Sequence, residues 1–200
     1  MKKFSVLVAV LFAAALLSTD SGAADKFWKL DFKHTGLHYV NAGGLTVAYT
    51  TYEVTNNTGA ERPFFPIFRV ETDTSQLTYA MASPGALAAI RTKHGVPLLD
   101  INQICGPIKP GETKKGVAIF HRLDPAADHV HVYISGLTDE FRYQDEKGRK
   151  GFQRRVWYIH WFRPGDGANR PEDRTDTLDD GWIWRSTGVA ETAPQTPKND

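Results

Sequence analysis

IKPGETKKGVAIFHRLDPAADHVHVYISGL, residues 108–137, decides the fold. Pro110-Gly111 joins a fixed φ to a permissive one, as a tight turn requires, and Val117 to Phe120 follows as a short apolar, β-prone run. Asp124-Pro125 closes that run. Val130, Val132 and Ile134 then alternate with His129, His131 and Tyr133, a period of two that buries one face and solvates the other. Turn, strand, turn and strand in so short a span predict an antiparallel all-β domain.

Working outward, Pro97 to Ile104 delivers the chain to this pair as an irregular or strand segment. Before it, Ser83-Pro84 reads as N-cap and first residue of a short helix running through Lys93, with Leu87 and Ile90 buried and Gly95 ending it. Gln76 to Met81 is a short strand. Phe64 to Glu71 is another, with Phe64, Phe68 and Val70 in phase and Pro63 and Pro66 marking an edge or a bulged entry. Leu45 to Thr55 is a long β-rich run after Gly43-Gly44. Its apolar parity changes near Thr50-Thr51, which predicts a bulge or burial of both faces. Asn56-Asn57-Thr58-Gly59 is a turn by composition, and Phe27 to His34 is the first strand.

Beyond Leu137, Phe141 to Tyr143 and Phe152 to Arg163 flank a charged loop and read as a hairpin. The second arm is aromatic on both parities: Val156, Tyr158, His160 and Phe162 on one, Trp157, Ile159 and Trp161 on the other. Such a strand is either covered on both faces or offers rings to a ligand. Residues 164–181 read as a loop rich in Pro, Gly and Asp, and Trp182 to Trp184 as the last strand.

The N-terminus has two lysines, an apolar run from Phe4 to Leu17 and the small residues Ser21 to Ala24, the pattern of a secretory signal peptide over residues 1–24. Its apolar run is too short for a membrane span. The expected organisation is one β-sandwich domain over residues 25–188, with an extension from about residue 138 and a disordered tail over 189–200. Loss of Lys2, Lys3 and Asp20 with the leader makes the formally +1 chain neutral, so no electrostatic footprint for nucleic acid or an anionic membrane remains. The expected location is periplasmic or extracellular, with no membrane insertion once the leader is removed. Cys105 is the single cysteine, so there is no internal disulfide and packing must supply the stability; its mostly apolar neighbours favour a buried, inert thiol, the alternative being an intermolecular disulfide or a reactive thiol.

The order Tyr52-x-Val54-x-Asn56-Asn57, Phe68 to Glu71, Ile108-x-Pro110-Gly111-Glu112, Gly116 to Phe120 and Val130 to Ile134 resembles the small Ig-like β-sandwich domains of exported bacterial proteins, of the DUF4352 type. The resemblance covers about residues 45–137. It implies an Ig-like antiparallel β-sandwich, here with a short helical insertion and a C-terminal β extension. It also implies a non-catalytic accessory module with no active residues to carry over.

Motifs for chemistry are sparse. Ser135 lacks the leading glycine of a nucleophile elbow, and Glu112 stands before Thr113 where a P-loop needs its phosphate-binding lysine. His129-x-His131 places two imidazoles on one strand face, a spacing that can serve a metal, with His121 on the preceding strand; the same spacing also suits a solvated face. Asp166, Asn169, Asp173, Asp176, Asp179 and Asp180 crowd one loop without the spacing of a calcium loop. Trp157 with Trp161, and Trp182 with Trp184, share strand faces and would form either a platform of flat rings for a ligand or the filling of the core. Asp166, Asn169, Arg163 and Arg170 would rim such a platform. The sequence calls for no cofactor. The expected role is non-enzymatic, with another exported protein as partner, or alternatively a polysaccharide bound on the tryptophans.

Overall fold

The computed structural model describes residues 27–146, 149–164 and 175–186. Two antiparallel sheets face each other, and a single helix covers the outside of the first. The all-β sandwich expected from residues 108–137 is what the chain forms.

The first sheet is built on β3 (Leu45–Thr55). β1 (Asp31–His34) and β2 (His38–Ala42) pair with successive halves of one edge of β3, and β8 (Thr113–Phe120) pairs along the other. β2 and β3 form a hairpin across Gly43 and Gly44, whose φ of 64° and 86° suit a two-residue turn that twists with the strands. The parity switch in β3 has a direct cause. Ala48, Tyr52 and Val54 pack into the sandwich, whereas Val47 and Tyr49 pack against α1 (Pro84–His94) through Ala86, Leu87 and Ile90. Burial of both faces, not a bulge, resolves the pattern.

The second sheet is larger. β9 (His129–Ser135) lies between β5 (Ile67–Thr72) and β11 (Arg149–Phe162), and the short β6 (Leu77–Tyr79) extends the sheet beyond β5. β10 (Phe141–Glu146) pairs with the first half of β11, and β12 (Asp176–Ser186) runs along the other edge of β11. Phe68, Val70, Val130, Val132, Ile134, Ile159 and Trp161 meet Phe32, Tyr52, Ala118 and Phe120 of the first sheet in one buried core. Burying this much apolar surface is the dominant favourable contribution to the fold.

The asparagine turn and the proline-glycine turn meet. Asn56 is fully buried; its Nδ2 donates to the carbonyls of Ala60 (2.8 Å) and Ile108 (2.7 Å), and its Oδ1 accepts from the Thr58 amide at 3.0 Å. Gly111, with φ of 76°, donates its N–H to the Asn56 carbonyl at 2.7 Å. One side chain thus ties β3 to β7 (Gly106–Ile108), which pairs with β4 (Arg62–Phe64) in a small separate ladder.

Several boundaries differ from the sequence reading. Phe64 to Glu71 is two strands belonging to different sheets, because the chain breaks at Phe65-Pro66. β2 and β7 carry no clear sequence pattern. Asp176, Asp179 and Asp180 lie in β12 and not in a loop, held by the ladder with β11. Cys105 is exposed, its thiol donating to the Ile101 carbonyl at 3.2 Å, because the turn after Asp100 sends Ile104 inward and the next residue out. Residues 1–26 and 187–200, which hold the expected leader and tail, lie outside the described residues. Among the described residues no helix is long and apolar enough to cross a membrane.

Candidate functional site

Strand alternation on β9 and β11 gathers histidines and tyrosines on one surface of the second sheet. The inward parity of β11 carries Trp157, Ile159 and Trp161; the outward parity carries Tyr158, His160 and Phe162 beside His129, His131 and Tyr133 of β9. The register sets His131 opposite His160 and Tyr133 opposite Tyr158. β5 adds Arg69 and Glu71 to the same face, and β12 adds Arg185. This is the side of the second sheet turned away from the sandwich.

The rings on this face are in mutual contact. His131 stacks on His160 with centroids 4.3 Å apart, His129 lies 5.1 Å from His160, and Tyr133 lies 5.4 Å from Tyr158. His129 Nδ1 and His160 Nε2 share a hydrogen bond of 2.9 Å, and His131 Nδ1 and the Tyr158 hydroxyl one of 2.7 Å. Burial and then the neighbouring imidazoles hold His131 below the usual histidine value, and His160 is lowered for the same reasons. Burial pushes the Tyr158 hydroxyl up. These imidazoles bond to one another and stack; they do not converge on a point. Among the described residues no group of three or more His, Cys, Asp or Glu side chains could hold a metal ion. His121 does not join the pair: it lines a separate hollow with Leu45, Leu77 and Met81, and His160 stands where it was expected.

Further along the strands the face turns cationic. The Arg185 guanidinium lies 3.5 Å from the Tyr133 ring centre and is ion-paired with Glu71, which also bonds Arg69 at 2.7 Å. Those two arginines hold the Glu71 carboxyl below its usual range against the opposing effect of burial.

The four tryptophans do not form one platform. Trp161 is fully buried against Phe120 and His34. Trp157 and Trp182 are register partners on the inward face and meet edge to face, with planes at 80° and centroids 5.4 Å apart. Trp184 lies farther along β12, with the Arg142 and Arg155 guanidiniums 4.3 and 5.0 Å from its ring centre. Arg163, expected at a ligand rim, is buried: its guanidinium donates to the Ala127 carbonyl at 2.9 Å, the Asp124 carbonyl at 2.5 Å and the Tyr39 hydroxyl at 3.0 Å. A buried charge needs such partners, and here they fix the 124–127 turn against β2. Asp166, Asn169 and Arg170 lie outside the described residues.

Sequence reading found His129, His131 and the aromatic arm but not their union. Tyr133, Tyr158 and His160 had the right parity; Arg69, Glu71 and Arg185 carried no signal, since only strand pairing brings them there. The chain matches no family model, no curated protein and no solved structure.

Proposed function

We propose that the chain is a non-catalytic, exported binding module whose partner is another exported protein, engaged through the outward face of the second sheet. One observation carries the reading: Tyr133, Tyr158, Phe162, three histidines and two arginines share one contiguous face that no other element of the described residues covers, whereas α1 covers the corresponding face of the first sheet. Tyrosine, arginine and other aromatic side chains are enriched at protein interfaces because they combine large contact area with polar tips. The mutual bonding of the imidazoles supports binding over metal-assisted hydrolysis. The leader-like N-terminus and the resemblance to exported Ig-like modules support export and a non-catalytic role.

The alternative, a carbohydrate-binding module, has less support. Sugars stack on open ring faces, but Trp157 and Trp182 meet edge to face and guanidiniums lie close to Trp184. Affinity recovery from the exported fraction of the source cells tests the proposal. The wild-type chain and a Lys115→Ser control on the first sheet should recover the same protein, and a His131→Ser/Tyr158→Ser chain should not. Equal recovery by all three would remove this face from the account.

A further inference from the structure

The outward face of the second sheet holds a groove of about 310 Å³ at the end remote from the histidines. Ile67, Val156, Tyr79 and Tyr133 line it, and its cations are Arg69, Arg154 and Arg185 from three different strands. Arg154 and Arg185 are direct register partners on β11 and β12. Like charges directly opposite in a ladder repel, so this pairing is unfavourable unless an anion lies between or beside them. Glu71 is the carboxylate that serves this group, and it is bonded to both Arg69 and Arg185. Arg154 is exposed and lies 5.7 Å from the Phe152 ring, while Nε of Arg69 is buried without a hydrogen-bond partner among the described residues. Among the described residues, three guanidiniums against one carboxylate leave the groove cationic.

We infer that this groove binds a carboxylate borne by an acidic segment of the partner protein, with Arg154 and Arg185 taking the carboxylate and Ile67, Val156 and Tyr79 receiving the apolar side chain beside it. The inference rests on the binding-module reading above and names the partner's chemistry. A planar guanidinium matches a carboxylate through paired N–H donors. The apolar Ile67 and Val156 that line the same groove as the arginines favour an acid with an apolar neighbour over a bare phosphate or a sugar. The groove is open and runs on into the Tyr133 and Tyr158 row, so an extended chain can lie along it.

Two acetylated, amidated pentapeptides, Ala-Asp-Phe-Asp-Ala and Ala-Asn-Phe-Asn-Ala, are titrated into the isotope-labelled full chain and followed by NMR, with inorganic phosphate as a third probe. The acidic peptide should saturably shift the side-chain N–H signals of Arg69, Arg154 and Arg185 and the amide of Tyr133. It should bind about tenfold more tightly than the amide peptide, and Arg154→Gln should weaken it about fivefold or more. Arg154 is exposed, and an otherwise unchanged backbone spectrum of the variant confirms that its fold is intact. Equal affinity for the two peptides, an unaffected Arg154→Gln variant, or phosphate binding as tightly as the acidic peptide would each overturn the inference. Recovery of a partner by the face, together with a groove that treats both peptides alike, would overturn this inference alone and leave the binding-module proposal standing.

Discussion

His129 Nδ1 lies 2.9 Å from His160 Nε2, and His131 is stacked on His160 with centroids 4.3 Å apart. A hydrogen bond between two ring nitrogens needs one donor and one acceptor, so at least one imidazole of the pair is neutral.

That requirement makes stability depend on pH. Burial, followed by neighbouring cationic or imidazole groups, lowers His94, His131 and His160, and burial lowers His34 against the opposing effect of Asp180. In the unfolded chain these groups take up protons as pH falls through about 6.5. In the fold they resist, so the unfolded state binds more protons and the fold loses stability from there downward. Above that value their contribution is fully present. Glu53, Glu71 and Asp124, lowered chiefly by Lys115, by Arg185 and Arg69, and by Thr74 respectively, lose their contributions only at more acid pH. Thermal melts should show Tm falling between about pH 7 and 5.5, with a shallower fall for His160→Asn. A flat wild-type profile, or an unchanged slope in the variant, would count against the pairing.

Asn56 should be among the costliest polar positions. Replacing it with Ala strands the buried Ile108 carbonyl and removes the side-chain partner of the half-buried Thr58 amide, while the Ala60 carbonyl keeps the Thr58 hydroxyl; this should cost about 1 to 3 kcal/mol in urea unfolding. Asn56→Asp should not rescue, because a carboxylate offers both carbonyls an acceptor where they need a donor. Stability of the Asp variant equal to wild type would contradict the arrangement.

Gly116 lies under the Tyr52 ring. A Cβ there would come within 2.4 Å of Tyr52 Cζ and 2.6 Å of Ile104 Cδ1. Gly116→Ala should therefore cost about 1 to 3 kcal/mol or more. The Tyr52 hydroxyl is buried with no hydrogen-bond partner among the described residues, and burial pushes its ionisation far above the ordinary tyrosine range. Tyr52→Phe should then be neutral or stabilising by up to about 1 kcal/mol, and should recover part of the Gly116→Ala loss in the double variant. A destabilised Tyr52→Phe would show that the hydroxyl has a partner.

The tryptophans should separate by role. Trp161→Ala should cost about 3 to 5 kcal/mol because it empties a fully buried position, and Trp184→Ala should change stability far less. Similar losses at both positions would mean that the far end of β12 is as much a part of the core as Trp161.

What could be read in the sequence was what local pattern encodes. β3 runs from Leu45 to Thr55 as its composition indicated, the helix starts at Pro84 and stops at a left-handed Gly95, and His129–Ser135 alternates as its parity required. Local pattern failed where pairing decides. His38–Ala42 has mixed polarity and becomes a strand only because Gly43-Gly44 folds it onto β3. Asp176 to Asp180 disfavour β structure on propensity but are carried in the ladder opposite Ile159 to Phe162. The candidate face is the same case: His131 and His160 meet across sequence-distant strands, and no local period could reveal it.

The central claim, that the outward face of the second sheet meets a protein partner, is tested most directly by photo-crosslinking in the source cells. A photoreactive phenylalanine analogue at Tyr158 should give one discrete covalent adduct with another exported protein, and the same analogue at Lys115 on the first sheet should give none. No adduct from Tyr158, or the same adducts from both positions, would contradict the account.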